Sequence, residues 1–62
     1  MSRETRARML HKQALRAVYH MQYWTTIGNA DNAEMSKQRL GWLVDEMREI
    51  GEDVSLADYI DA

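Results

Sequence analysis

The amino-acid sequence predicts an all-α fold: an antiparallel helical hairpin with a short C-terminal helical turn, dimerising into a four-helix bundle. Three observations carry this. A row of residues at alternating four- and three-residue spacing occurs twice, as Leu10, Ala14, Ala17, Met21, Trp24 and as Ser36, Leu40, Leu43, Met47, Ile50. A single glycine- and asparagine-rich break, Gly28-Asn29-Ala30-Asp31-Asn32, separates the two rows. Proline is absent throughout, and no strand-like alternation interrupts the pattern. Such spacing is the seam of a helix that packs lengthwise against another.

The first helix is expected over about residues 3–27, capped by Ser2 and rich in the good helix formers Ala, Leu, Arg, Met and Gln. The β-branched run Thr25-Thr26-Ile27 weakens its last turn, and Gly28 supplies the left-handed residue that closes it. The loop is expected over 28–32. Asp31 or Asn32 then caps a second helix over about 33–51, with Asp31 and Glu34 at capping-box spacing and Gly51 as the stop. Ser55-Leu56-Ala57-Asp58 repeats the capping-box pattern and opens a helical turn over about 55–61, carrying Leu56, Tyr59 and Ile60. One turn cannot hold itself together, so it must dock on something. The 62 residues therefore form one domain.

Projected at about 100° per residue, the first helix presents Leu10, Ala14, Ala17, Met21 and Trp24 at the centre of its buried face. Val18 and Leu15 widen that face to roughly half the circumference, more than one partner helix covers. The second helix places Leu40, Leu43, Met47 and Ile50 in its seam, flanked by Val44. Met35 and Trp42, seven residues apart, form a second stripe beyond Arg39 and Glu46. A lone two-helix hairpin buries little apolar surface, so two apolar faces argue for a partner surface, most simply a two-fold dimer of hairpins. Gly41 lies inside the second helix beside Trp42, either as a tolerated surface glycine or as a point where another backbone comes close.

The net charge of −2 conceals polarity: five basic residues against one acid up to His20, and three against nine from Met21 onward. Arg3, Arg6 and Arg8 lie where the helix dipole disfavours cations, and Glu46, Glu49, Glu52 and Asp53 where it disfavours anions. An antiparallel hairpin brings these ends together, with the acids after Gly51, or Asp58, as the expected neighbours of Arg3. The alternative role for the arginines is the rim of a partner-binding surface.

No site of catalysis is legible. There is no cysteine, so no thiolate nucleophile or zinc ligand and no disulfide. His11 and His20 stand on opposite sides of the first helix, with no acid at ligand spacing from either. No serine or threonine is set with a histidine and an acid, and no glycine loop cradles phosphate. The paired acids Asp45 and Glu49 read as a solvated face. The expectation is a non-enzyme with no cofactor, metal or small-molecule substrate. With no apolar run near the ~18 residues of a membrane span, and no signal-peptide core, the chain reads as a cytoplasmic protein.

Two surfaces remain as candidates. Met35 and Trp42, with Tyr59 and Ile60 from the tail, make a protein-interaction patch, since tryptophan and methionine adapt well to protein surfaces. Arg8, Lys12, Arg16, Tyr19 and Tyr23 fall within a sector of roughly 80° on the first helix, over ~22 Å. Cations there can track phosphates while tyrosines stack on unpaired bases, so RNA or DNA is a possible ligand. The same residues also suit an ordinary wet helix face.

In length, hairpin layout and polar first-helix face the chain is similar to the Rop family of plasmid RNA-binding regulators, whose hairpins dimerise into a four-helix bundle. It departs from that family in lacking cysteine, in a shorter second helix and in an aromatic-rich first helix, and no motif is shared. The resemblance implies an architecture and transfers no residue roles. The reading from the residues is a small protein-interaction module, a regulator or adaptor working as a self-associating hairpin; the alternative is a nucleic-acid-binding regulator using the basic-aromatic face.

Overall fold

The structure, a computed structural model, describes residues 2–60. It is a two-helix hairpin measuring 39 × 19 × 17 Å, built from α1 (Arg3–Thr26), α2 (Ala30–Glu49) and the single turn α3 (Ala57–Ile60). The expected seam is the core. Leu10, Ala14 and Ala17 of α1 are buried with Leu40, Leu43, Val44 and Met47 of α2. Met21, Trp24, Ser36 and Ile50 continue the two rows as half-buried residues toward the ends. The contributions are unequal. Around the middle of the hairpin α1 offers the methyl groups of Ala14 and Ala17, and the volume comes from α2, where Leu40 and Met47 are fully enclosed.

Both long helices end in the same way. Ile27 caps α1, Gly28 takes φ +81°, its N–H donates to Thr25 O, and the N–H of Asn29 reaches back to Trp24 O. Ile50, Gly51 at φ +94° and Glu52 repeat this on Arg48 O and Met47 O. These paired bonds satisfy carbonyls that a helix end leaves open, and they need a residue in the left-handed region.

The loop is shorter than the sequence suggests. Asn29 completes the closure of α1 with its N–H while its side-chain oxygen accepts from Asn32 N–H at 3.1 Å, so one residue closes the first helix and caps the second. α2 therefore starts at Ala30, earlier than the expected Ala33, and Asp31 lies inside its first turn instead of capping it. At the other end Ser2 caps α1 as expected, accepting from Thr5 N–H at 3.2 Å. Asp58 accepts from Ser55 N–H at 2.8 Å, forming one half of the expected box at the start of the tail turn. Asp61, the expected end of that turn, lies outside the described residues.

The tail folds back along the open end of the hairpin. Val54, Leu56, Tyr59 and Ile60 pack against the core as half-buried residues, and α3 lies against α1. Leu15, expected at the edge of the buried face, is 51% exposed. The apolar arc of α1 is wider than the strip that α2 and the tail cover. Among the described residues, no helix is long and apolar enough to cross a membrane.

The glycines provide a contrast in stability. A Cβ at Gly41 would meet nothing within 4 Å, so no backbone approaches it within the chain. Gly41→Ala is expected to stabilise the fold by about 1 kcal/mol through helix propensity alone. At Gly51 the positive φ strains any L-residue, and a Cβ would sit 3.2 Å from an Arg3 guanidinium nitrogen. Gly51→Ala is expected to destabilise by about 1 kcal/mol or more. Urea denaturation followed by far-UV circular dichroism reads both, and equal shifts in the two variants would contradict this account of the helix ends.

Candidate interaction surfaces

The first surface is the side of the hairpin where α2 turns Met35 and Trp42 outward, 66% and 67% exposed. Seven-residue spacing keeps the two on one stripe, two turns apart. An open groove runs beside them between α1 and α2, walled by His20 and Trp24 on one side and by Arg39, Leu43 and Glu46 on the other. His20 and Trp24 carry this surface across to α1, a role that the seam spacing alone did not suggest. Tyr19 packs against His20 with ring centroids 6.1 Å apart, and Tyr23 meets Trp24 edge-on at 5.1 Å. A band of aromatic rings thus continues from the groove onto the outer face of α1.

Tyr59 and Ile60, grouped at first with Met35 and Trp42, lie elsewhere. They belong to the tail, which sits over the N-terminal half of α1 and the C-terminal end of α2. The Tyr59 hydroxyl lies 2.7 Å from His11 Nδ1 and donates to Met47 Sδ at 3.7 Å. The His11 and Tyr59 rings are tilted against each other, with centroids 5.6 Å apart. His11 thus serves to hold the tail, and the reason for the separation is connectivity. The chain leaves α2 at Gly51 and has only a few residues before α3, so the tail reaches the open end of the hairpin and not the middle of α2.

The second surface is the outer face of α1. Arg8, Lys12, Arg16, Tyr19 and Tyr23 are all exposed, Tyr19 by 68%. Among the described residues Lys12 and Arg16 take part in no ion pair, whereas Arg3 and Arg6 do. Arg8 stands at the rim of the tail groove, which also holds Glu4, Glu52 and Asp53. The charge of that groove therefore offsets the stripe at its N-terminal end, and the free cations are Lys12 and Arg16.

Arg3 and Arg6 join the hairpin ends. Arg6 donates to Glu46 Oε2 at 3.1 Å, Arg3 pairs with Glu52 at 3.6 Å, and Arg3 Nε donates to Ile50 O. Glu52 is among the acids expected for Arg3. All four ionic side chains keep more than a third of their surface in water, so each pair contributes only about 0.2–1 kcal/mol. Among the described residues, no group of three or more histidine, cysteine, aspartate or glutamate side chains is placed to hold a metal ion.

Comparison with protein-family models, curated proteins and solved structures finds no match to this chain.

The tail contact has a pH signature. Burial raises the Tyr59 phenol above its ordinary value of 10.0, with the Asp58 and Glu52 carboxylates adding to the effect. A raised folded-state value means that the phenol's contribution is fully present below pH 10 and is lost as pH rises through the folded-state value. The urea midpoint of the chain is expected to fall more steeply above pH 10 than that of Tyr59→Phe. An equal fall in both proteins would place the cause outside Tyr59.

Proposed function

We propose that this chain is a small, non-enzymatic protein-interaction module that acts as a regulator or adaptor through a self-associating hairpin. One observation carries the reading: Met35 and Trp42 stand exposed on a single stripe beside a groove walled by Trp24 and His20. A tryptophan left in water loses the favourable transfer of a large apolar surface, about 25 cal/mol for each Å². Tryptophan and arginine in such a setting are the side chains that anchor protein interfaces. The small core points the same way, since seven buried residues among those described leave the hairpin much apolar surface to place against a partner.

A second reading has its own support. Among the described residues Lys12 and Arg16 take part in no ion pair, and Tyr19 and Tyr23 are exposed on the same helix, so α1 offers both phosphate contacts and stacking platforms.

Light scattering on the purified chain at low and high salt, with ultraviolet absorbance recorded on material not treated with nuclease, separates the two. A dimeric mass that persists at high salt, free of nucleic acid, is the result expected of the interaction module. Nucleic acid that co-purifies, leaves at high salt and is lost in the combined variant Arg8→Gln, Lys12→Gln, Arg16→Gln would transfer the assignment to the α1 face. A monomer at every concentration and salt would remove self-association from the proposal.

A further inference from the structure

The long side of the hairpin that carries Trp42 has a charge pattern matching its own copy. On α2, Arg39 and Glu46 stand on the same edge of the Trp42 stripe, three residues before it and four after. In an antiparallel helix pair related by a two-fold axis, residues on one edge face the same edge of the partner helix, at positions reflected through the axis. An axis beside Trp42 therefore sets Arg39 against Glu46 of the second copy, and Glu46 against Arg39 of the second copy. The two Trp42 side chains meet at the centre, and each Met35 faces the Glu49 end of the other α2.

We propose that this stripe is the interface with a second copy of the chain, formed by α2 against α2 in antiparallel register about Trp42. The proposal rests on the self-association reading above and locates it. Three further observations support the location. Arg39 makes no ion pair and no side-chain hydrogen bond among the described residues, so its charge is unspent within the hairpin. Glu46 uses Oε2 for Arg6, and Oε1 remains available to a second guanidinium. A stable interface takes about 800 Å² from each partner, and in a molecule of 39 × 19 × 17 Å only a long side supplies that. The tail occupies part of the opposite long side, beside His11 and Ala7.

The test uses the whole chain and two charge variants, Arg39→Glu and Glu46→Arg. Each variant alone sets like charges against each other at both ends of the interface. Mixed together they form a heterodimer in which both pairs are again opposite in sign. Analytical ultracentrifugation is expected to show dimers of the unaltered chain, association weakened at least about tenfold in each variant, and recovery on mixing. Trp42→Ala removes nothing from the core, and is expected to lose the dimer while its far-UV circular dichroism retains the signal of a folded hairpin. It keeps the test decisive if Glu46→Arg loses helicity along with its bond to Arg6. A dimer whose affinity is unchanged in folded Arg39→Glu and Trp42→Ala overturns this interface and leaves self-association standing. A monomeric unaltered chain overturns both.

Discussion

The narrow seam between α1 and α2 sets the terms for the rest of the molecule. At Ala14 and Ala17 the first helix presents methyl groups, which lets the second approach closely and fill the space with Leu40, Leu43 and Met47. A seam of small against large side chains packs densely, but it is only one helix wide. Residues just off its axis fall outside it on both helices. Leu15 on α1 and Met35 and Trp42 on α2 lie still further round their helices and are exposed.

The same antiparallel closure resolves an electrostatic difficulty. Arginines in the first turn of a helix and glutamates in the last turn each oppose the local dipole. Arg3 and Arg6 lie in the first turns of α1, yet they act on the end of α2, where Arg3 reaches the Ile50 carbonyl and Glu52 and Arg6 reaches Glu46. A charge that is unfavourable for its own helix caps the neighbouring one. Gly51 is part of this arrangement, because its missing side chain leaves room for the Arg3 guanidinium over the helix end.

Much of this was legible in the sequence because the information is periodic or local. The four-and-three spacing identified the seam residues, Gly28 and Gly51 marked the turns, and Ser2 marked the first cap. The start of α2 at Ala30 was not legible because a helix closure and an N-cap usually involve different residues, and here Asn29 serves both. The exposed stripe of Met35 and Trp42 was legible from heptad spacing, while its neighbours His20 and Trp24 were not, since they come from another helix. The tail was the least legible part. A single turn has no periodicity to show which face it docks on, and the contact that holds it joins His11 to Tyr59 across 48 residues.

These placements also bear on how the two candidate surfaces relate. Met35 and Trp42 are exposed on α2 beside the groove they share with His20 and Trp24, and Lys12 and Arg16 are exposed on α1, with Arg16 bordering the cleft that holds Arg39 of α2. Self-association through α2, as proposed, would leave Lys12, Tyr19 and Tyr23 uncovered, while Arg16 borders that cleft. Helix pairing concentrates apolar contact near its axis, whereas a polyanion requires only exposed cations at its outer edge. Met35 and Trp42 come from α2 and Lys12 and Arg16 from α1, so the apolar pair and the cations stand on different helices that meet along the groove walled by His20 and Trp24.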